Sequence, residues 1–164
     1  ATLVARCQPM VIEAYEQLAG EAAAIELVYE PEWRSTGLAE ALRTARDLDV
    51  RRGVSTVGPH RDELAIGLAG LPARTHASQG EQRTLALALR LAAHRLVAER
   101  TESTPVLVLD DVLSELDPDR STALLQHLPP GQVIITSASP LPPAADPERT
   151  IEISAGTVVG DPDG

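Results

Sequence analysis

The sequence predicts an α/β fold, and three stretches carry the prediction. "SQGEQRTLALALRLAAHRLVAE" sets a polar, glycine-containing turn at residues 78–82 before about five turns of apolar helix. "TPVLVLDD" is a continuous apolar run of the kind buried on both faces of a parallel sheet. "GQVIITSAS" is a second such run, and helical "PDRSTALLQHL" lies between the two. Strand, helix, strand in that order is an α/β architecture.

The elements follow in chain order. "QPMVIEAYEQLAG" carries apolar residues at 11, 12, 15 and 18, a helical stripe that ends at Gly20. "AIELVYEP" alternates as a short strand and stops at Pro31. "STGLAEALRTARDLDVRRG" predicts a second helix whose apolar side is Leu38, Ala41, Leu42, Ala45 and Leu48. From Gly53 the texture changes to short β-type runs broken by Gly-Pro and Ala-Gly turns. The expectation there is a strand to Val57, a loop at 58–62 and a hairpin around Gly70. The long helix follows at about 79–100. In the next helix Asp117 is the N-cap and Pro118 takes the first helical position. "PLPPAADPE" is a loop, and "RTIEISAGTVV" closes the chain as a hairpin.

Composition bounds the function. The chain of 164 residues is 43% hydrophobic, an ordinary globular share. No apolar run is long enough to span a bilayer, and no N-terminal stretch reads as a secretion signal. The start at Ala1 rather than Met points to a chain that begins mid-protein. A lone Cys7 excludes an internal disulfide framework and fits a cytoplasmic setting. The net charge of −10 argues against a simple basic nucleic-acid module. Every basic residue is Arg; Lys is absent.

Two loops carry chemistry. Asp110 and Asp111 end an apolar strand, and open α/β sheets bind ligands at the carboxyl ends of their strands. Two carboxylates there are costly unless they hold a cation, share a proton or stay solvated. They are read either as a Mg²⁺ ligand followed by a water-orienting acid, or as one turn cap and one solvated acid. Asp117, one tight loop further on, caps its helix and adds a third carboxylate to the same rim, which predicts a metal or a cationic partner. At the other loop, Ser78 and Glu81 form an S-x-x-E capping box. The box does not need Gly80, which costs about 1 kcal/mol against alanine in a helix. Glycine is useful where another surface approaches bare backbone. A helix N-terminus with a hydroxyl and nearby Arg83 suits an anion.

"SQGEQ" matches the Ser-x-Gly-x-Gln signature loop of ABC-type ATPases, "VLVLDD" resembles their Walker B strand, and "SELD" their D-loop. Within that superfamily, "GPHRDEL", "SQGEQRTLALALRLA" and "LDDVLSELDPDRSTAL" closely resemble the RecF family, SMC-like recombination and repair ATPases acting at single-stranded DNA gaps. The resemblance runs from about residue 50 to 137. It implies the C-terminal half of an ABC/SMC-like P-loop ATPase head at residues 51–164, with residues 1–50 the C-terminal part of a helical arm domain. It implies that Ser78, Gly80 and Gln82 contact the γ-phosphate of ATP held by a partner subunit. Asp110 would serve Mg²⁺, Asp111 would stand where most relatives have a catalytic Glu, and Asp117 would cross the dimer interface. The partners implied are DNA, a second copy in an ATP-dependent homodimer, RecO and RecR; no membrane is implied.

The sequence departs from that pattern in three places. A Walker A motif, G-x-x-x-x-G-K-[ST], needs a Lys that this chain lacks, so by itself it is expected neither to bind ATP tightly nor to hydrolyse it. Thr136 and Ser137 occupy the region where relatives outside the family often place a His. Asp for Glu at 111 shortens the base by a methylene, consistent with slow hydrolysis used as a switch.

His60, Arg61 and Asp62 of "GPHRDE" read as a polar turn pinning one sheet to the next. Arg43, Arg46, Arg51, Arg52 and Arg61 form the dense basic group, either meeting DNA phosphates or lying on a solvated face with the acids among them. Two other classes share part of the pattern. A transporter's nucleotide-binding subunit expects a His after the last core strand, and a non-enzymatic α/β interaction domain would keep acids and cap for stability alone.

Overall fold

The computed structural model of the protein describes residues 3–159. The first helix, α1 (Leu3–Ala19), starts five residues before the expected stretch and runs through Pro9. It buries Val11, Ala14, Tyr15 and Leu18, spaced at 3, 1 and 3 residues, so one face is committed to the interior. β1 (Ile25–Tyr29) follows, and Pro31 opens a short 3-10 turn, Glu32–Arg34. β1 pairs antiparallel with β2 (Leu64–Leu68), which pairs in turn with β3 (Leu71–Pro72). The hairpin predicted at Gly70 is there. Ala69 and Gly70 both take left-handed backbone, φ 51° and 79°, as a two-residue turn between antiparallel strands requires.

α2 (Leu38–Arg52) forms as expected, with Arg51 and Arg52 in its last turn and Gly53 as a left-handed cap. It buries none of its residues. Leu42 and Leu48, expected on a packed face, stay 40% and 37% exposed, and the main element against the helix is the short Glu32–Arg34 turn. The strand expected up to Val57 does not form. Asp49 Oδ1 accepts from both the amide and the hydroxyl of Thr56 (2.9 and 2.6 Å), and Ser55 Oγ donates to Val57 O. Local side-chain bonds thereby replace a strand ladder.

A four-residue turn of helix, α3 (Ala73–His76), leads into α4 (Gln79–Thr101), the longest element. β4 (Leu107–Asp110) and β5 (Val133–Thr136) pair parallel, joined through a 3-10 turn at Val112–Glu115 and α5 (Pro118–Gln126). The closing hairpin is β6 (Glu152–Ser154) with β7 (Thr157–Val159). Two buried clusters organise the molecule. Val11, Ala14 and Tyr15 of α1, Ile25 and Leu27 of β1, and Leu85, Ala88 and Ala92 of α4 form one. Elements on both sides of residue 50, where the two-part division was expected, therefore share one core. Leu18, Leu107, Leu109, Leu113 and Leu124 form the other, under the β4–β5 sheet.

β4 differs from the expectation in one respect. Its burial alternates: Leu107 and Leu109 are buried, whereas Val108 is 58% exposed beside a 44% exposed Ile134 on β5. Leu18 of α1 and residues of α4 and α5 cover one face of this two-stranded sheet, and the Val108–Ile134 face stays open among the described residues. Among the described residues no helix is long and apolar enough to cross a membrane.

Candidate functional site

The tip of α4 is built by its cap. Ser78 is extended at the N-cap; its Oγ accepts from the Glu81 amide at 3.3 Å, and its own amide donates to Glu81 Oε2 at 2.7 Å. The Ser78 side chain first, then its amide, and the charge of Arg120 hold the Glu81 carboxyl below its ordinary range. Gln79 and Gly80 take the first two helical positions, where amides lack an intrahelical acceptor. Gln82 folds back, Nε2 donating to Ala77 O at 2.9 Å. Ser78 and Gln82 are exposed, and Gly80 is half-buried under Arg120 of α5.

Two arginines tie this tip to the segment after β4. Arg83, one turn into α4, donates through Nη1 to Glu115 O and pairs through Nε with Glu115 Oε2, both at 3.0 Å. Arg120 pairs through Nη1 with Asp117 Oδ2 at 2.5 Å and lies against Gly80. Its Nε is buried with no partner among the described residues. Asp117 also accepts from the Arg120 amide at 2.9 Å, the cap that starts α5. That backbone bond first, and then the Arg120 side chain, lower the Asp117 carboxyl.

The acidic end of β4 is a separate edge. Parallel register sets Asp110 opposite Thr136, whose hydroxyl donates to Asp110 Oδ1 at 2.5 Å. The Asp111 amide donates to both Thr136 O (3.1 Å) and Thr136 Oγ1 (3.0 Å). Asp111 takes left-handed backbone, φ 50° and ψ 24°, a conformation uncommon outside glycine and tolerated best by Asn and Asp. Ser114 Oγ donates to Asp111 O at 2.9 Å and closes the turn. Both acids are exposed and line a cavity of about 310 Å³ with Arg83, Leu87, Glu115 and Leu116.

The structure thus brings Asp110 and Asp111 together, and Ser78, Gly80 and Gln82 together, as two distinct edges. Neither Ser78, Gly80 nor Gln82 lines the cavity beside the acids. Asp117 caps α5 as expected and pairs with Arg120, and it is not among the residues lining the cavity beside Asp110 and Asp111. Among the described residues no three His, Cys, Asp or Glu side chains converge as a metal cage. The larger cleft, about 450 Å³ between α1, α4 and the 127–130 loop, contains none of these residues.

The "GPHRDE" turn is pinned within the β1–β2–β3 sheet and its flanking turn, not from one sheet to the next as expected. Asp62 accepts from Tyr29 Oη at 2.6 Å and from Trp33 Nε1 at 3.0 and 3.1 Å, tying the loop to β1 and the turn after it. The hydrogen bond to Asp62 pushes the Tyr29 phenol up from its ordinary value. Arg61 Nε donates to Ser55 O at 3.0 Å, and the His60 ring packs over Gly58. The arginines of α2 are dispersed. Arg43 pairs with Glu40, and Arg51 donates to Asp47 O. Arg43, Arg46 and Arg51 fall within about 140° around the helix, and Arg52 falls outside that arc.

Sequence reasoning missed Thr136 as a bracket for both acids, and Arg120 and Glu115 as the ties to the tip. Thr136 comes into place only through the register of the β4–β5 pair, which sets it opposite Asp110.

No protein-family model matches the chain. Solved structures do. One of the recombination mediator protein RecF-ATPrS in the RecFOR pathway superposes with a TM-score of 0.68 at 27% identity, covering 94% of this chain and 43% of that one. One of RecF-ATP in the same pathway superposes at 0.63 and 28% identity, with the same coverages. Together with the mixed α/β elements, these make the fold that of an ABC/SMC-like P-loop ATPase. Among curated proteins, "DNA replication and repair protein RecF" of Streptomyces avermitilis is 46% identical over 147 residues, 83% of this chain and 39% of that protein. RecF of Agathobacter rectalis is 41% identical over 127 residues, 77% of this chain and 35% of that protein. RecF of Thermosynechococcus vestitus is 36% identical over 169 residues, 95% of this chain and 45% of that protein. The chain belongs to the RecF family. It spans about two fifths of the length of the curated relatives it matches.

Proposed function

We propose that this chain supplies the signature tip and the acidic strand end of an ATP-dependent DNA replication and repair protein, which pairs with a second copy to bind DNA at single-strand gaps. The observation that carries the reading is the separation of two exposed edges, an amide-rich helix tip at Ser78 and a carboxylate pair at Asp110. Each is half of a triphosphate site, and the cavity that Asp110 and Asp111 line is not lined by Ser78, Gly80 or Gln82. Two protomers facing each other would bring one tip to the other's nucleotide. Ser78, with the free amides of Gln79 and Gly80, would meet the γ-phosphate, and Gln82 would brace the turn.

The acidic edge suits Mg²⁺. Thr136 occupies Asp110 Oδ1, leaving Oδ2 without a hydrogen-bond partner among the described residues, and Mg²⁺ takes one or two carboxylates plus phosphate and water oxygens rather than an all-protein cage. When bound, the ion neutralises charge on the transferring phosphoryl group. Asp111 orients and deprotonates the attacking water, and its short side chain suits slow hydrolysis. Asp117 stands in the D-loop at the dimer face. The β- and γ-phosphates need a Lys-bearing loop that this sequence does not contain, so the chain alone has little ATPase activity.

The exposed Val108 and Ile134 face supports further sheet or helix packing against β4–β5 in the complete head. Exposed α2, with Arg43, Arg46, Arg51 and Arg52, and Arg61 nearby in sequence, are the DNA-phosphate candidates. The setting is the cytoplasm, recombinational repair and the SOS response, in co-operation with RecO and RecR. The test joins this chain to a Walker A-bearing segment and substitutes Ser78→Arg. Nucleotide-driven dimerisation, read by light scattering, and ATP-stimulated DNA binding should both be lost. Retention of both would discard the trans-phosphate assignment.

A further inference from the structure

We propose that Thr136 is a positioning residue that sets the acidic pair for a divalent cation. The inference deepens the assignment of Asp110 as the cation ligand and rests on it. Parallel pairing places Thr136 directly across from Asp110, at the end of β5. Its hydroxyl has one proton. The Asp111 amide can only donate, so at 3.0 Å the hydroxyl must accept from it. The hydroxyl proton is therefore directed to Asp110 Oδ1, 2.5 Å away. One side chain thus does two things. It holds Asp110 as a hydrogen-bond acceptor with Oδ1 pinned and Oδ2 left without a partner among the described residues. It also anchors the amide of Asp111 where the backbone enters left-handed space at φ 50°.

The hydroxyl is specific to this arrangement. Valine has the same shape and neither function, and its methyl would face a carboxylate that has lost its donor. Serine keeps the hydroxyl and drops only the methyl. The expected consequence of valine is an Asp110 free to rotate, which weakens a cation site built on a single pinned carboxylate.

The test uses the 164-residue chain with Mn²⁺ alone as the probe, reading paramagnetic broadening of backbone amides. In the wild-type chain, broadening should centre on residues 109–112. Thr136→Val should weaken the apparent Mn²⁺ affinity about tenfold, the scale of one hydrogen bond to a charged group. Thr136→Ser should stay within about twofold of the wild type. Thr136→Ala makes the same comparison if the valine variant does not fold, since it sets no methyl against Asp110. Folding of each variant is checked by amide dispersion. Mn²⁺ affinity unchanged in folded valine and alanine variants would overturn the role of Thr136, as would a serine variant as weak as valine. Wild-type chain with no broadening at this strand end, or Asp110→Asn that keeps it, would instead remove the cation assignment of Asp110, and the inference with it.

Discussion

Replacing Gly80 with alanine separates a glycine kept for the fold from a glycine kept for a ligand. Gly80 is the second residue of α4, in helical backbone, so alanine meets no conformational barrier there. A Cβ built on it would lie 3.4 Å from Arg120 Nη1 and 3.9 Å from Arg120 Cζ, ordinary contact against the far end of a flexible side chain. Within the protomer nothing forbids the methyl, and helix propensity favours it by about 0.5–1 kcal/mol. The Gly80→Ala chain should therefore be as stable as the wild type or slightly more so. For a protein of this size that is an increase of roughly 1–4 °C in melting temperature. The check is thermal and urea unfolding followed by circular dichroism. The same substitution in a Walker A-bearing version should lose nucleotide-driven dimerisation, because the methyl occupies the space through which a phosphate reaches the helix amides. A loss of more than about 1 kcal/mol on unfolding would show that the Arg120 contact, not a ligand, requires glycine. Wild-type dimerisation by a stable alanine variant would refute the ligand argument from the other side.

Other outcomes are equally specific. Ser78→Ala removes one half of the capping box and should cost about 1 kcal/mol in urea unfolding, with Ser78→Thr recovering most of it. Leu124 is fully buried beneath β4–β5, so Leu124→Ala should cost about 2–5 kcal/mol, visible as a shifted denaturation midpoint with unchanged slope. Asp62→Ala strips the acceptor from Tyr29 and from the single Trp33, so it should destabilise by about 1–3 kcal/mol and change the fluorescence of that tryptophan. Acid lability should trace to three carboxyls: Glu81 and Asp117 at the helix caps, and Asp49 through its bonds to Thr56, titrate lower in the folded chain than in the unfolded one. Their stabilisation is complete above the unfolded carboxyl range and is lost as pH falls through the depressed folded values, so stability should drop below about pH 5. Glu81→Gln with Asp117→Asn should make that slope shallower, leaving the part due to Asp49; an unchanged slope would exclude both caps as its source.

The order of elements was legible because each rests on local chemistry. The Ser78–Glu81 box, Asp117 before Pro118, and the Ala69–Gly70 turn satisfy backbone groups within a few residues of themselves, so sequence spacing suffices to find them. The failed strand before Val57 has the opposite cause. Ser55, Thr56 and Val57 have strand composition, but Asp49, seven residues away on α2, takes the Thr56 amide that a ladder would have used. Nothing in the strand's own pattern reveals a competitor on another element. Thr136 was hidden for a related reason, since its partners are 25 and 26 residues away and meet it only through parallel register.

Burial was the least legible property, and the reason bears on the site. The apolar runs of α2 and β4 were read as packed on their inward faces, and in β4 on both. In this chain Leu42, Leu48, Val108 and Ile134 are instead left open to solvent. Hydrophobic patterning records the surfaces a residue is fitted to meet, whichever part of an assembly supplies them. At roughly 25 cal/mol per Å² of apolar area, leaving such faces in water is a standing cost that a covering partner would relieve. The acidic pair lies at the end of that half-covered sheet, where the alternation of β4 sets Asp110 on the same open side as Val108. A cover seated on the Val108–Ile134 face would reach the same strand end as Asp110 and Asp111. The exposed apolar face and the two exposed carboxylates therefore mark one incomplete region, and protection of Val108 and Ile134 amide neighbours from hydrogen exchange should rise together with cation affinity when that cover is supplied.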